Sequence, residues 1–273
     1  MPRHTGVVHG RARYGEAVPR FSDGSAGDAD YGVIGAGYAT IRQPDPRIEA
    51  VIWEALGDAR TVIDVGAGAG SYEPRDRYVT AVEPSASMRA ERPADRSPAI
   101  DGTADHLPFD DDSFDAAMAT VTIHQWPDLE AGLAELRRVA RGPVVLLTFT
   151  PEVPEDWWMP HYVPELFAVE AARMPGIDRI VAALGPSTTA DIVPVPSDCI
   201  DGFGQAFYAR PERTLDPEIR RAMSAWTFVE PEVAQRYTDT LTADLASGEW
   251  ERTWGEFRSK AVFDVGLRLI VAR

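Results

Sequence analysis

The stretch VIDVGAGAG, from Val62 to Gly70, decides the fold of this chain. An apolar run ends at Asp64, and glycines follow at the alternating positions 66, 68 and 70. This pattern is typical of a buried parallel strand that ends in a tight turn, because glycine adopts positive φ and lets the backbone lie close to a ligand. The spacing G-x-G-x-G differs from the G-x-G-x-x-G of dinucleotide-binding turns. The sequence therefore predicts a ligand-binding turn of another kind.

Two further blocks follow the glycine turn. The segment YVTAV, from Tyr78 to Val82, predicts a second short strand, and Glu83 stands at its end. An acid at this position of an adenosine-binding fold accepts hydrogen bonds from the ribose hydroxyls. The third block, GTADHLPFDDDSFDAAMATVTIHQWPD, runs from Gly102 to Asp128 and contains a mostly apolar strand from Phe114 to Ile123.

The three blocks, in this order, resemble the class I S-adenosylmethionine-dependent methyltransferases. The segment YGVIGAGYATIRQPDPRI, which begins at Tyr31, resembles the N-terminal region of small-molecule methyltransferases of the trans-aconitate and ubiquinone types. The resemblance implies an α/β fold with a Rossmann-like, seven-stranded, mostly parallel sheet whose last strand is antiparallel. It also implies a helical cap inserted after the fifth and sixth strands, and S-adenosyl-L-methionine (AdoMet) as the cofactor.

The resemblance implies a role for each cofactor-binding position. Asp64 would order the glycine turn through the amino group of the methionine end, the turn itself would offer amides and close approach, and Glu83 would hold the ribose. Relatives carry an adenine-binding Asp where this chain has Thr103, so the adenine contact would pass to Asp105 or to the backbone of Ala104. The implied cofactor-binding residues are Tyr38, Arg42, Asp64, Gly66, Ala67, Gly68, Glu83, Pro84, Met88, Thr103, Ala104, Asp105, Thr120 and Gln125, with Tyr31 as an additional candidate.

The chain departs from the family between Gly70 and Tyr78. The family has a helix there, whereas this chain has only SYEPRDR, which contains Pro74. Proline removes a backbone donor and clashes with the preceding helical turn, so we predict no regular helix in this segment. The missing helix also argues against a pyrophosphate ligand, which relies on a helix N-terminus.

Three residues are candidate catalytic groups. His124 follows the strand from Phe114 to Ile123, where small-molecule methyltransferases often place a histidine that faces the methyl group, and it is the candidate general base. The alternative to this catalytic role is that His124 is a structural residue packed against the next helix. His161 is a weaker candidate, and Asp201, like its neighbour Asp198, would bind a basic substrate group or act as a base, or else cap a helix.

Composition limits the partners. The chain has 273 residues and a formal net charge of −16, which disfavours nucleic acid. Its single cysteine excludes an internal disulfide and fits the cytoplasm, while no apolar run reaches membrane-spanning length and no export signal is present. No pair of His or Cys has metal-ligand spacing, so we expect no catalytic metal.

The domain organisation follows from the patterning. Residues 1–30 are predicted to be a flexible N-terminal arm, residues 31–150 the AdoMet-binding core, and residues 151–260 a helical cap that includes a strand at 190–198. Residues 261–273 would supply the last strand of the sheet. Trp157, Trp158 and Trp226 would line the acceptor site or form the interior of the cap.

The predicted function is transfer of a methyl group from AdoMet to the oxygen, nitrogen or carbon of a small molecule, in bacterial secondary metabolism. One alternative is a protein of the same fold that binds AdoMet or S-adenosylhomocysteine (AdoHcy) without methylating, such as a cyclase or a regulatory module. A nicotinamide oxidoreductase is disfavoured by the glycine spacing and by the missing helix.

Overall fold

The computed structural model describes residues 21–34, 38–152, 154 and 156–273, and it describes Val33 and Tyr38 through their backbone alone. Its centre is a six-stranded sheet. The described strands are β1 Thr61–Val65, β2 Tyr78–Val82, β3 Ala116–Thr120, β4 Val144–Phe149, β5 Thr188–Ile192, β6 Val195–Pro196, β7 Val262–Phe263 and β8 Leu267–Ala272.

The strand order in the sheet is β2-β1-β3-β4-β8-β5. Neighbouring strands from β2 to β4 are parallel, and β8 pairs antiparallel with both β4 and β5. The predicted Rossmann-like class with an antiparallel last strand is therefore confirmed. Strands β6 and β7 form a separate two-stranded ribbon.

The strand count and some strand ends differ from the prediction. Ile100 forms only an isolated bridge to Val82, and the sheet of the described residues has six strands where the resemblance implies seven. Strand β3 ends before Val121, whose φ of 51° is incompatible with a strand. The strand predicted at 190–198 is split into β5 and β6, because Pro194 between them has no N–H to donate.

Helices surround the sheet, and several begin as their sequences predict. Asp45, Ser85 and Asp128 each accept a hydrogen bond from a backbone N–H of the first turn. The described helices are α1 Tyr31–Ile34, α2 Tyr38–Ile41, α3 Pro46–Ala55, α4 Ala86–Ala90, α5 Leu129–Val139, α6 Trp158–Tyr162, α7 Pro164–Arg173, α8 Ile177–Leu184, α9 Pro217–Arg221, α10 Pro231–Ser247 and α11 Glu249–Trp254. Short 3-10 turns occupy Ile123–Gln125, Gly204–Phe207, Pro211–Leu215, Ser224–Phe228 and Gly255–Ser259.

Two apolar clusters hold the layers together. Helices α5 and α8 pack against one face of the sheet, with Leu133, Leu136 and Ile180 fully buried. Helix α8 thus belongs to the sheet layers although it lies within 151–260. The second cluster joins α3 to β4 and to the helical insertions, and it buries Trp157 and Trp158. Those two indoles are part of this interior packing.

The segment from Phe21 to Asp30 contacts the start of α4, which follows β2. The Asp23 carboxylate accepts a hydrogen bond from the Ser85 hydroxyl at 2.6 Å, and the Asp23 carbonyl accepts one from the Ala86 amide at 2.7 Å. The prediction for residues 1–20 lies outside the described residues.

Candidate functional site

The glycine turn after β1 is built as the sequence predicts. Gly66, Gly68 and Gly70 have φ values of 72°, 51° and 86°, which L side chains rarely adopt. A Cβ at Gly66 would also overlap the Thr122 hydroxyl. The turn therefore has to be made of glycine at these positions.

The amides of the turn are already used within the protein. Those of Gly66 and Ala67 donate to the Val82 carbonyl, at 2.9 and 3.1 Å, and that of Gly68 donates to Glu83 at 2.9 Å. The expectation that these amides are offered to the cofactor is wrong. The turn instead provides a backbone surface without side chains, which a ligand can approach closely.

Glu83 follows β2 and is 7% exposed. Its Oε2 accepts the Gly68 amide at 2.9 Å, and its Oε1 accepts the Ser85 amide at 2.8 Å. Burial raises the pKa of this carboxyl, and the two amides counteract that effect. Each carboxylate oxygen has a second lone pair, so the group can also accept two ligand hydroxyls.

A cavity of about 890 Å³ lies around the turn and Glu83. The predicted cofactor residues that line it are Arg42, Gly66, Ala67, Gly68, Glu83, Pro84, Met88, Thr103, Ala104, Thr120 and Gln125. The lining also includes residues that the sequence did not single out, chiefly Ser25, Ala26, Ser71, Tyr72, Thr122 and Trp126, as well as the candidate Tyr31.

Two predicted cofactor residues with described side chains, Asp64 and Asp105, do not line this cavity. Asp64 is fully buried, and burial, followed by the nearby charge of Glu73, raises its pKa well above the usual range, which favours the uncharged form. Asp105 is exposed. The side chain of Tyr38 lies outside the described residues. Neither Asp64 nor Asp105 therefore reaches the cavity wall, and their roles at the methionine end and at the adenine stay predictions.

A buried ion pair between Glu73 and Arg92, and not a helix, supports the segment that follows the glycine turn. The described segment between β1 and β2 contains no helix, as predicted. Glu73 is 1% exposed and accepts two hydrogen bonds from Arg92, at 2.7 and 3.0 Å. Arg92 also donates to the Gly68 carbonyl at 3.2 Å, so this pair braces the turn from behind.

Asp201 holds two side chains of the cavity wall. It is 2% exposed and accepts a hydrogen bond from Arg42 Nε at 2.6 Å and one from the Tyr72 hydroxyl at 2.7 Å. Asp201 itself lines neither described cavity near the turn. The structure therefore gives it a positioning role and not the predicted catalytic one, while Asp198 is exposed and pairs with Arg47.

A second cavity, of about 480 Å³, adjoins the first. Tyr31, Arg42 and Val121 line both. The further lining residues are His124, Phe149, Glu170, Met174, Phe203, Gly204, Gln205, Ala222, Met223 and Ser224. The two cavities are thus neighbouring chambers with a common wall at Arg42.

His124 is the predicted catalytic residue that reaches this second cavity. Its Nδ1 is buried and has no hydrogen-bond partner among the described residues. Burial, and next the charge of Arg173, lower the pKa of His124 to about 3. The imidazole is consequently neutral at physiological pH and is a weak base.

His161 and Trp226 lie away from both cavities. His161 is exposed and stacks on Trp254, with 4.8 Å between the ring centroids, so its prediction as a catalytic residue is wrong. Trp226 packs against Tyr237 and lines neither chamber.

Glu170 is the functional candidate that the sequence analysis missed. It lies on α7 in the register of Leu166, Phe167 and Met174, which form the buried face of the segment. Burial raises the pKa of its carboxyl. An acid at helical spacing within an apolar face was the signal that could have found it.

The described residues contain no group of three or more His, Cys, Asp or Glu side chains arranged to hold a metal ion. No helix in the described ranges is both long enough and apolar enough to cross a membrane.

Comparison with known proteins places the chain among methyltransferases. A family model for the methyltransferase domain matches residues 63–147. A solved structure from Anabaena variabilis, described as a methyltransferase from an antibiotic biosynthesis pathway, is 31% identical with a TM-score of 0.80, and the match covers 85% of this chain and 99% of that one. The [4+2]-cyclase SpnF shares the fold at 17% identity, with a TM-score of 0.52 over 88% of this chain and 89% of that one.

Curated relatives match a shorter region. An uncharacterized methyltransferase of Mycobacterium tuberculosis is 37% identical over 101 residues, which are 34% of this chain and 40% of that protein. The YcgJ methyltransferase of Bacillus subtilis, also uncharacterized, is 30% identical over 116 residues, or 38% of this chain and 46% of that protein. The chain thus spans less than half the length of these curated relatives.

Proposed function

The chain belongs to the class I S-adenosylmethionine-dependent methyltransferases, and we propose that it methylates a small molecule bound in the cavity that contains His124. The observation that carries this proposal is the wall shared by the two chambers. Arg42 and Val121 line both, so a cofactor in the first chamber and an acceptor in the second would meet there.

The residues of the first chamber suit AdoMet. The Glu83 carboxylate has free lone pairs for the ribose hydroxyls, and Met88 and Pro84 offer an apolar surface to the adenine. The Gln125 Nε2 is buried without a hydrogen-bond partner among the described residues, which leaves a donor for the methionine end. When bound, AdoMet supplies an electrophilic methyl group on a sulfonium, which leaves as neutral AdoHcy.

The protein would contribute mainly by positioning. An electrophile of this kind needs no metal or acid, so holding the two reactants in line and excluding water can supply much of the rate. We propose that neutral His124 orients the acceptor through a hydrogen bond. Its low pKa argues against the predicted role as a general base that titrates near neutral pH.

We further propose that the helical insertions form a cap over the acceptor. Helix α7 contributes Glu170 to the second chamber, Met174 follows that helix and also lines the chamber, and the turn Ser224–Phe228 contributes Ser224. The likeness to the Anabaena protein over nearly its whole length supports an acceptor from secondary metabolism.

The experiment is incubation with methyl-labelled AdoMet and pools of small molecules, with AdoHcy release measured by mass spectrometry. His124→Gln should slow AdoHcy release at least tenfold while leaving AdoHcy affinity unchanged, whereas His161→Gln should behave like the unmodified protein. A cyclase or regulatory protein of the same fold would bind AdoMet yet release no AdoHcy with any pool. That result would refute the methyltransferase assignment of this chain's activity.

A further inference from the structure

The second chamber is mainly apolar, with its polar groups on a few side chains. Phe149, Phe203, Met174, Ala222 and Met223 supply the apolar surface. A molecule that fills the chamber must therefore bury mostly carbon, and any polar group on that molecule has to find a partner in the wall.

The polar groups that could be that partner belong to Tyr31, Arg42, His124, Glu170, Gln205 and Ser224. The Nδ1 of His124 is buried and has no partner among the described residues. The Glu170 side chain is only 18% exposed, and its carboxylate lies 3.9 Å from Arg173 and accepts a hydrogen bond from Gln205, which leaves lone pairs unused. Both side chains therefore retain hydrogen-bonding capacity toward the chamber.

The charges around the chamber already have partners. Arg42 pairs with Asp201 at 2.6 Å, and Arg173 pairs with Asp28 at 2.7 Å. With Glu170 ionised, three carboxylates and two guanidinium groups lie around the chamber, so their net charge is negative. The sulfonium of a bound cofactor would raise that net charge to zero. A charged acceptor would leave one charge uncompensated in a low-dielectric site, which is costly, whereas an uncharged acceptor would not.

We propose that the acceptor is an uncharged, mainly apolar molecule that bears a hydroxyl group, and that Glu170 and His124 hold this hydroxyl. A hydroxyl suits both partners because it can donate to a carboxylate and accept or donate at an imidazole. This inference rests on the proposed function, since it assigns the second chamber to the acceptor. Glu170 would be the residue that determines acceptor specificity.

The test is binding of matched probes to the protein loaded with sinefungin, an AdoMet analogue that carries a protonated amine in place of the sulfonium, measured by isothermal titration calorimetry. The probes are 4-ethylphenol, ethylbenzene, 4-ethylbenzoate and 4-ethylbenzylamine, which share one apolar part. We expect 4-ethylphenol to bind at least about tenfold more tightly than each of the others, since one buried hydrogen bond corresponds to about that factor.

Two variants of Glu170 and one control on the same helix identify the partner. Glu170→Leu should weaken 4-ethylphenol binding about tenfold, Glu170→Gln should weaken it less, and neither should change AdoHcy affinity, which also reports that the variants fold. Glu165→Gln is the control, because Glu165 is exposed on α7 and pairs with Arg236 at the surface.

The outcomes separate this inference from the proposed function. The proposed acceptor class is overturned if a charged probe binds as tightly as 4-ethylphenol or if no probe binds the loaded protein. It is also overturned if Glu170→Leu leaves the affinity for 4-ethylphenol unchanged. AdoMet-dependent methylation can stand in each of these cases. If the protein fails to bind AdoHcy at all, both proposals fall.

Discussion

Replacing Asp201 by Asn should destabilise the protein and weaken cofactor binding, because this carboxylate holds Arg42 and Tyr72 at the junction of the two chambers. It lies 2.6 Å from Arg42 Nε and 2.7 Å from the Tyr72 hydroxyl, and it is 2% exposed. The Arg42 side chain is only 10% exposed, so it has little access to water as an alternative partner.

The expected magnitude follows from that burial. Breaking a buried ion pair by removing one charge costs about 3–5 kcal/mol. For a domain of this size, each kcal/mol lowers the melting temperature by about 2–4 °C, so the expected decrease in melting temperature is about 6–20 °C. Asn keeps one acceptor oxygen and Ala keeps none. We therefore expect Asp201→Asn at the lower end of this range of melting-temperature decreases and Asp201→Ala at the upper end.

The assay is thermal and urea unfolding of the ligand-free protein, together with AdoHcy titration. Asp198→Asn is the matched control, because Asp198 is three positions away, 78% exposed on its side chain and paired with Arg47 at the surface. A surface pair of this kind contributes at most about 1 kcal/mol. Arg42→Met combined with Asp201→Leu should recover only part of the stability, because it removes both buried charges but leaves the Tyr72 hydroxyl without its acceptor, and it should not recover AdoHcy affinity.

The reasoning would be refuted if Asp201→Asn unfolded within about 1 kcal/mol of the Asp198→Asn control. Loss of turnover with unchanged stability and unchanged AdoHcy affinity would also refute it. That combination would restore Asp201 to the catalytic role that the sequence suggests.

Three other predictions concern the cofactor chamber and His124. Glu83→Ala should lower AdoHcy affinity by about 10²–10⁴-fold, because two charge-assisted hydrogen bonds are lost, and unchanged affinity by calorimetry would contradict the ribose role. The folded-state pKa of His124, about 3, lies below its unfolded value, so its contribution to stability is present above about pH 6.5 and is lost as the pH falls toward 3. The stability advantage of the unmodified protein over His124→Gln should therefore shrink between pH 7 and pH 5 in urea titrations, and a constant difference would show that the imidazole is not buried. Deleting residues 1–30 should weaken AdoHcy binding more than deleting residues 1–20, because Ser25 and Ala26 line the cofactor chamber; equal affinities would remove this segment from the site.

Local signals in the sequence determined the cofactor half of the site. The turn glycines, Glu83 and the cap at Ser85 lie at the ends of short strands or helices, where backbone conformation depends mainly on neighbouring residues. The missing helix was equally local, because Pro74 and a short connection exclude it. This is why the sequence pointed to many of the residues that line the first chamber.

Which side chains meet at the second chamber depends on tertiary packing. Asp201 is 159 positions from Arg42 and 129 from Tyr72, and no periodicity in the sequence reports that these side chains meet. The same holds for Glu170 and His124, which come to one chamber from α7 and from the turn after β3. Burial sets the charge state of such groups, and burial follows from how the elements pack. The sequence by itself therefore determined where the cofactor chamber lies, and the packing of the insertions decided which side chains face the acceptor.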